Sequence, residues 1–102
     1  MPNYVFAYHG GKMPDTPEEG QRLMAAWNAW YEKMGSAVVD GGAPVGKSVT
    51  VTATGIENNG GANPISGYTI VSAADMDAAI AMAKNCPILE DGTVEVAPIV
   101  EM

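Results

Sequence analysis

Between Thr16 and Gly35 the chain carries a helix punctuated at both ends. Thr16 is placed to cap it, Pro17 takes the first helical position, and Glu18 and Glu19 face the positive end of the helix dipole. Glu19 stands three residues after Thr16, which completes a capping box. Leu23, Trp27, Trp30, Tyr31 and Met34 then recur on one face at 3.6 residues per turn, and Gly35 ends the run. A stripe at this spacing is what burial requires, so the two tryptophans are expected in core or dimer packing rather than as a platform for ligand stacking.

The remaining elements order themselves around that helix. Tyr4 to Tyr8 is aromatic and apolar and ends at a glycine pair, a first strand. Ala37 to Val39 is a second, interrupted by Asp40-Gly41-Gly42-Ala43-Pro44. Ser48 to Thr54, "SVTVTAT", alternates as a half-exposed strand does. Gly55 to Pro64 is rich in turn residues and lacks periodicity. Gly67 to Val71 is a further strand, and Asp75 to Lys84 a second helix with Met76, Ala79, Ile80 and Ala83 on one side. Thr93 to Val100 closes the chain's strands, and Pro98 excludes a central ladder position there, predicting an edge or a strand end.

With one hairpin strand set aside the order is β-α-β-β-α-β, the split βαβ arrangement of ferredoxin-like domains. The predicted class is α+β: an antiparallel sheet with two helices on one face and an extra hairpin strand. At 102 residues the chain is one domain, residues 1–102, and a chain this short buries a smaller share of its surface than a larger one. The second sheet face needs a cover, and a second copy of the chain is the expected one.

Charge and cysteine content remove several functions. The formal net charge is −7, with five Lys and Arg, so a phosphate backbone would be repelled and nucleic acid is not an expected partner. The lone Cys86 has no internal disulfide partner, and the sequence holds no Cys/His cluster for a structural zinc. No metal and no cofactor are expected. The amino terminus shows no basic segment followed by a long apolar stretch, and no run approaches the roughly 18 apolar residues of a membrane span. A soluble, cytoplasmic chain without a membrane partner is the expectation.

Three motifs invite chemistry. Gly41 to Ser48, "GGAPVGKS", matches the phosphate-loop pattern letter for letter. That loop works through a helix starting at its lysine, whose amides and dipole hold the phosphates. Here Lys47 precedes a strand-forming run, so a hairpin turn is predicted and nucleotide hydrolysis is not. Cys86 follows the second helix, where the negative end of the dipole raises a thiol pKa, so a buried structural thiol is expected.

His9, the single histidine, sits at the end of the first strand beside Gly10, Gly11 and Lys12. Alternation puts it on the face of Val5 and Ala7, opposite Tyr4, Phe6 and Tyr8. A histidine with a carboxylate is the minimum for general base work, and Asp40, at another strand end, and Asp15 are the candidate carboxylates. The alternative is a histidine bonded to a loop carbonyl. The catalytic candidates are therefore His9 and Asp40, with Tyr68 offering a hydroxyl to a ligand and Lys12 guiding an anionic one.

Four stretches together, "YVFAYHGG", "YEKMGSAVVDGGAP", "SGYTIVSAADMDAAIAMAKNCPI" and "GTVEVAPI", resemble the YCII-related domain family, including its DGPF-type branch. The resemblance covers nearly the whole chain and is most specific from Gly67 to Ile88. It implies a ferredoxin-like fold that dimerises through its sheets as a dimeric α+β barrel. It also implies chemistry on small, often aromatic molecules through a histidine and an aspartate, without metal. In this chain those two family positions fall on Met24, counted back from Gly35, and on Cys86, before Pro87. The resemblance thus implies the fold and the dimer while the catalytic pair is replaced. Two functions follow: a small protein that binds or transforms an aromatic or lactone-like molecule in a pocket between sheet and helices, or a non-catalytic dimeric binding or accessory module.

Overall fold

The structure, a computed structural model, describes residues 1–11 and 14–101. The strands are β1 (Asn3–Gly10), β2 (Val38–Pro44), β3 (Thr50–Thr52), β4 (Gly55–Glu57), β5 (Ile65–Ser72) and β6 (Gly92–Pro98). The helices are α1 (Pro17–Met34) and α2 (Met76–Ala83), and single 3-10 turns cover Gly35–Ala37 and Pro87–Glu90. Four strands form one sheet in the order β2-β5-β1-β6. Every pairing in it is antiparallel. This is the ferredoxin-like α+β arrangement that the order of elements predicts.

Both helices start at side-chain caps. Thr16 Oγ1 accepts from the Glu19 amide at 3.1 Å, and Glu19 reaches back to the Asp15 amide at 3.1 Å. The box is thus closed one residue earlier than the usual form, on the residue preceding the cap. Gly35 stops α1 at φ 56°, its amide returning to the Tyr31 carbonyl. Asp75 caps α2, its Oδ1 accepting from the Ala78 amide at 2.8 Å.

The sheet sends alternate side chains to the helices. Tyr4, Phe6 and Tyr8 from β1 and Val71 from β5 are buried with Trp30, Ala79 and Ala83. Trp27, Tyr31 and Met34 pack against that cluster. Phe6 stacks on Trp30 at 6.1 Å between centroids, and the Trp30 indole nitrogen donates to the Met82 carbonyl at 3.0 Å. The tryptophan thereby pins α1 to α2 while burying its ring. Ile80, expected on the buried side of α2, is exposed. In so short a helix the line Met76, Ala79, Met82 and Ala83 already fills the contact.

Two strand boundaries differ from the sequence expectation. β2 is not interrupted at Asp40 but runs to Pro44, with irregularities between Val38 and Asp40 and between Asp40 and Ala43. Asp40 Oδ1 accepts from the Gly42 amide at 2.9 Å, and Gly42 has φ 70° with its α-carbon against the Tyr68 carbonyl. The Gly pair is therefore a bulge that keeps the strand paired. The turn-rich stretch after Thr54 contains a strand as well: β4 pairs with β3 in a separate two-stranded hairpin. The Thr52 hydroxyl donates to the Gly55 carbonyl and accepts from the Thr54 amide, which folds the turn. Lys47 lies in coil between β2 and β3, with no helix starting at it.

The molecule measures 44 × 42 × 18 Å. A thickness of 18 Å holds the sheet and one layer of helices, so the face of Val5, Ala7, Tyr68 and Ile70 is left without a covering layer. Its radius of gyration, 14.8 Å, exceeds the roughly 13 Å of a compact domain of this length.

Candidate functional site

A cleft of about 210 Å³ opens on the helix side, beyond the end of β1. One wall is the first half of α1, with Glu19, Arg22, Leu23 and Trp27; the other is the turn after α2, with Pro87, Ile88, Glu90 and Asp91. Gly11 and Pro14, from the segment joining β1 to α1, close one end. Each wall follows from the local fold. The α1 stripe turns Leu23 and Trp27 inward. Pro87 at the start of the 3-10 turn directs the chain back toward β6. Gly11, at φ 90°, lets Ile88 approach to where a β-carbon would stand.

The cleft lining is mixed: Leu23, Trp27, Pro87 and Ile88 are apolar, and Glu19, Arg22, Glu90 and Asp91 are charged. Trp27 is part of the lining and packs edge-to-face with Tyr8 at 5.2 Å and with Trp30 at 5.6 Å. At the rim Arg22 and Glu90 form an ion pair of 3.3 Å between largely exposed side chains. A more open hollow of about 280 Å³ lies between the ends of α1 and α2, with Trp30, Lys33 and Met82 in its lining. Its tryptophan already spends its donor on Met82.

Behind Trp27 lies a buried polar network that joins α1 to the sheet. The Tyr8 hydroxyl donates to Thr69 Oγ1 at 2.7 Å, and Thr69 donates to the Gly41 carbonyl at 3.1 Å. The Tyr31 hydroxyl stands 3.1 Å from both Thr69 Oγ1 and the Gly41 carbonyl. Burial pushes the Tyr8 phenol well above its ordinary range, and the hydrogen bond with Thr69 offsets part of that. Burial likewise pushes the Cys86 thiol up to about 11, with the Ile88 amide and the Tyr8 hydroxyl pulling the other way. Both groups are neutral near pH 7, so the network braces the fold and supplies no ready nucleophile.

The residues singled out in the sequence lie elsewhere. His9 is buried on the uncovered side of the sheet, its Nδ1 3.2 Å from the Pro64 carbonyl and its Nε2 2.9 Å from Glu95 Oε1. Tyr68 stands opposite Ala7 on that same face. Asp40 is opposite Ile70, which is opposite Val5. Asp40 is thus two strands across and four residues along from His9, a separation on the order of 15 Å by strand geometry. The histidine's carboxylate neighbour is Glu95, the single charged residue of β6. Its place opposite Ala7 depends on the β1–β6 register, which sequence alone does not fix. Lys12 lies outside the described residues.

Met24 and Cys86, the positions matched to the family pair, do not meet. Met24 is 69% exposed on the outer side of α1 while Cys86 is buried. Their neighbours Leu23 and Pro87 are the ones that line the cleft, together with Trp27 and Ile88. The part of the cleft that sequence reasoning missed is the segment from Pro87 to Asp91. Its signal was the Pro-Ile-Leu-Glu-Asp run after the helix, too short to be more than a linker by pattern alone. Among the described residues, no group of three or more His, Cys, Asp or Glu is arranged to hold a metal ion. No helix among them is long and apolar enough to cross a membrane.

The fold has a solved counterpart. The chain superposes on 5-chloro-2-hydroxyhydroquinone dehydrochlorinase (TftG) from Burkholderia phenoliruptrix AC1100, in complex with 2,5-dihydroxybenzoquinone, with a TM-score of 0.56 and 16% sequence identity. The match covers 96% of this chain and 95% of that one. At that identity the likeness concerns the fold. Comparison with curated proteins gives no match. The model of the YCII-related domain matches residues 4–102, from the first residues of β1 to the carboxyl end. With the ferredoxin-like sheet and that match over nearly its whole length, the chain belongs to the YCII-related domain family.

Proposed function

We propose that this chain is a small-molecule-binding member of the family, taking a one-ring aromatic or lactone-like ligand in the cleft between α1 and the Pro87–Asp91 segment. The observation that carries this is the 210 Å³ space walled by Trp27, Leu23, Pro87 and Ile88. About 150 Å³ is enough space for a benzene ring, so by volume this open cleft of mixed lining has room for one ring with a small substituent. The structural neighbour's complex with a dihydroxybenzoquinone supports a ring-sized ligand on this fold.

Binding without turnover is the form the cleft favours. Its described lining carries no imidazole, and the nearby thiol is held protonated at neutral pH. His9 lies on the other side of the sheet, on the face where a second copy would pack. We place the homodimer there, closed through the uncovered faces, with His9, Glu95 and Tyr68 enclosed between the copies. A library of small aromatic and lactone compounds tests the proposal, scored by thermal shift for binding and by product analysis for turnover. Saturable stabilisation without product is expected. Product formation that survives Leu23→Arg would overturn it.

A further inference from the structure

Independently of the cleft, we infer that Asn59 is a self-modifying site: its side chain condenses with the Gly60 amide, and the isoaspartate that results releases the β3-β4 hairpin from the sheet. Asn59 is the one asparagine of the sequence followed by glycine. It is exposed in the turn after β4, and Gly60, at φ 66°, puts no side chain in the way of ring closure. Asn3 and Asn28 lie in β1 and α1, where regular backbone fixes the next amide. Asn63 precedes Pro64, whose nitrogen has no proton to give up.

The local geometry favours the condensation. The Asn59 carboxamide is folded back along its own backbone, its Oδ1 accepting from the Gly61 amide at 3.0 Å. The Gly60 amide supplies the nitrogen that closes the ring, and among the described residues it donates to no backbone carbonyl. The step balances with water alone. The Gly60 nitrogen bonds to Asn59 Cγ, the Cγ–Nδ2 bond breaks, and Nδ2 leaves as ammonia with the proton that the Gly60 amide gave up. One water then opens the cyclic imide. Cleavage of the new N–Cγ bond gives aspartate, and cleavage of the original peptide bond gives isoaspartate, whose backbone runs through Cβ and Cγ. Asp40 and Asp91 also precede glycines, but a carboxylate is a far weaker electrophile than a carboxamide.

The fold decides what the second product does. A β-carbon on Gly60 would fall on Ser48 Oγ and stand 3.0 Å from Pro64 Cβ, so Gly60 is wedged where the two ends of the hairpin segment meet. Next to it, the Val45 amide donates to the Ser66 carbonyl at 3.0 Å. Isoaspartate lengthens the backbone by one methylene immediately before this wedge, and the root of the hairpin must open to take it. Pro64 carries the carbonyl that lies 3.2 Å from His9 Nδ1, so the opening reaches the histidine. The hairpin has little to hold it closed by itself: its cross-strand pair Val51 and Ile56 is 75% and 65% exposed, and a two-stranded hairpin alone is marginal in water.

The test ages the full chain at pH 8, folded and in guanidinium, and reads Asn59 in the tryptic peptide from Ser48 to Lys84 by fragmentation that separates isoaspartate from aspartate. Asn59 should convert in the folded chain at a rate within a few-fold of the unfolded one, ahead of every other asparagine, with isoaspartate in excess. In the aged protein the amides of Thr50 to Glu57 should exchange faster and the His9 ring resonances should move. Fresh Asn59→Asp carries the same added charge without the methylene and should match the unaged chain in both readouts, and Asn59→Gln should remain unconverted. Asn59 left intact in the folded chain overturns the site. Isoaspartate with unchanged exchange and unmoved His9 resonances overturns the release, and the same changes in fresh Asn59→Asp would assign them to charge and overturn it too.

Discussion

His9 Nε2 lies 2.9 Å from Glu95 Oε1, and the pair joins the end of β1 to edge strand β6 on the uncovered face of the sheet. The other ring nitrogen faces the Pro64 carbonyl at 3.2 Å. A carbonyl and a carboxylate both accept, so the doubly protonated ring satisfies both and a neutral ring can donate to one of them. The histidine thus anchors the root of β5 and the edge strand together. His9→Ala should cost about 1–2 kcal/mol in urea unfolding. In the single chain the glutamate side chain is 70% exposed, so at protein concentrations low enough to keep the chain monomeric Glu95→Gln should cost less than about 1 kcal/mol. Equal and large losses for both would assign the pair more weight than its exposure permits.

The two tryptophans should separate in the same assay. Trp30 is buried, and its removal leaves a cavity and takes one donor from the Met82 carbonyl, which keeps the Asn85 amide, so Trp30→Ala should cost about 3–5 kcal/mol. Trp27 is half-buried in the cleft wall, and Trp27→Ala should cost about 1–2 kcal/mol. The milder variant should remain folded while losing ligand stabilisation.

At the bulge in β2, Gly42→Ala places a methyl group against the Tyr68 carbonyl at a positive φ. A loss of more than about 2 kcal/mol is expected. Gly41→Ala meets open space and should change the urea midpoint little. The phosphate-loop spelling around these glycines is thereby assigned to strand geometry.

The sequence carried most of the architecture and little of the site. The α1 stripe, its Thr16 cap and its Gly35 stop were local signals, as was Pro98, which ends edge strand β6. Local patterns also put Tyr4, Phe6 and Tyr8 on one face. The placements of Glu95, Asp40 and the Pro87–Asp91 wall depend on register and on how separate segments meet. Alternation shows that Glu95 faces one side of β6, but the β1–β6 pairing decides that it stands by His9. Similarly, the β4 strand is three residues long, and a segment so short carries too few residues for periodicity to distinguish it from a turn.

Cys86 gives a pH prediction. In the unfolded chain its thiol ionises near 9.0, whereas in the folded protein burial holds it to about 11. Below pH 9 both states keep the proton and the stability is fully present. As pH rises from 9 toward 11 the unfolded state loses the proton first, so stability falls. Urea unfolding across that window should show the decline, and Cys86→Ala should reduce it. Alkylation of the folded protein by iodoacetamide should be slow at pH 8.

Assembly is tested by sedimentation. With the faces of Val5, Ala7, Tyr68 and Ile70 packed together, micromolar protein should sediment at twice the monomer mass. Ala7→Glu, placing a charge opposite Glu95 on that face, should shift the protein toward monomer. A monomer without concentration dependence would remove the proposed interface.

The measurement closest to the central claim is methyl chemical-shift mapping of the tightest binder from the small-molecule screen. Leu23 and Ile88 report on the cleft, and Ile65 and Ile70 on the opposite side of the molecule. Saturable shifts at Leu23 and Ile88, with Ile65 and Ile70 still, are the predicted result. Shifts confined to Ile65 and Ile70 would place the ligand on the sheet face beside His9 and contradict the assignment of the cleft.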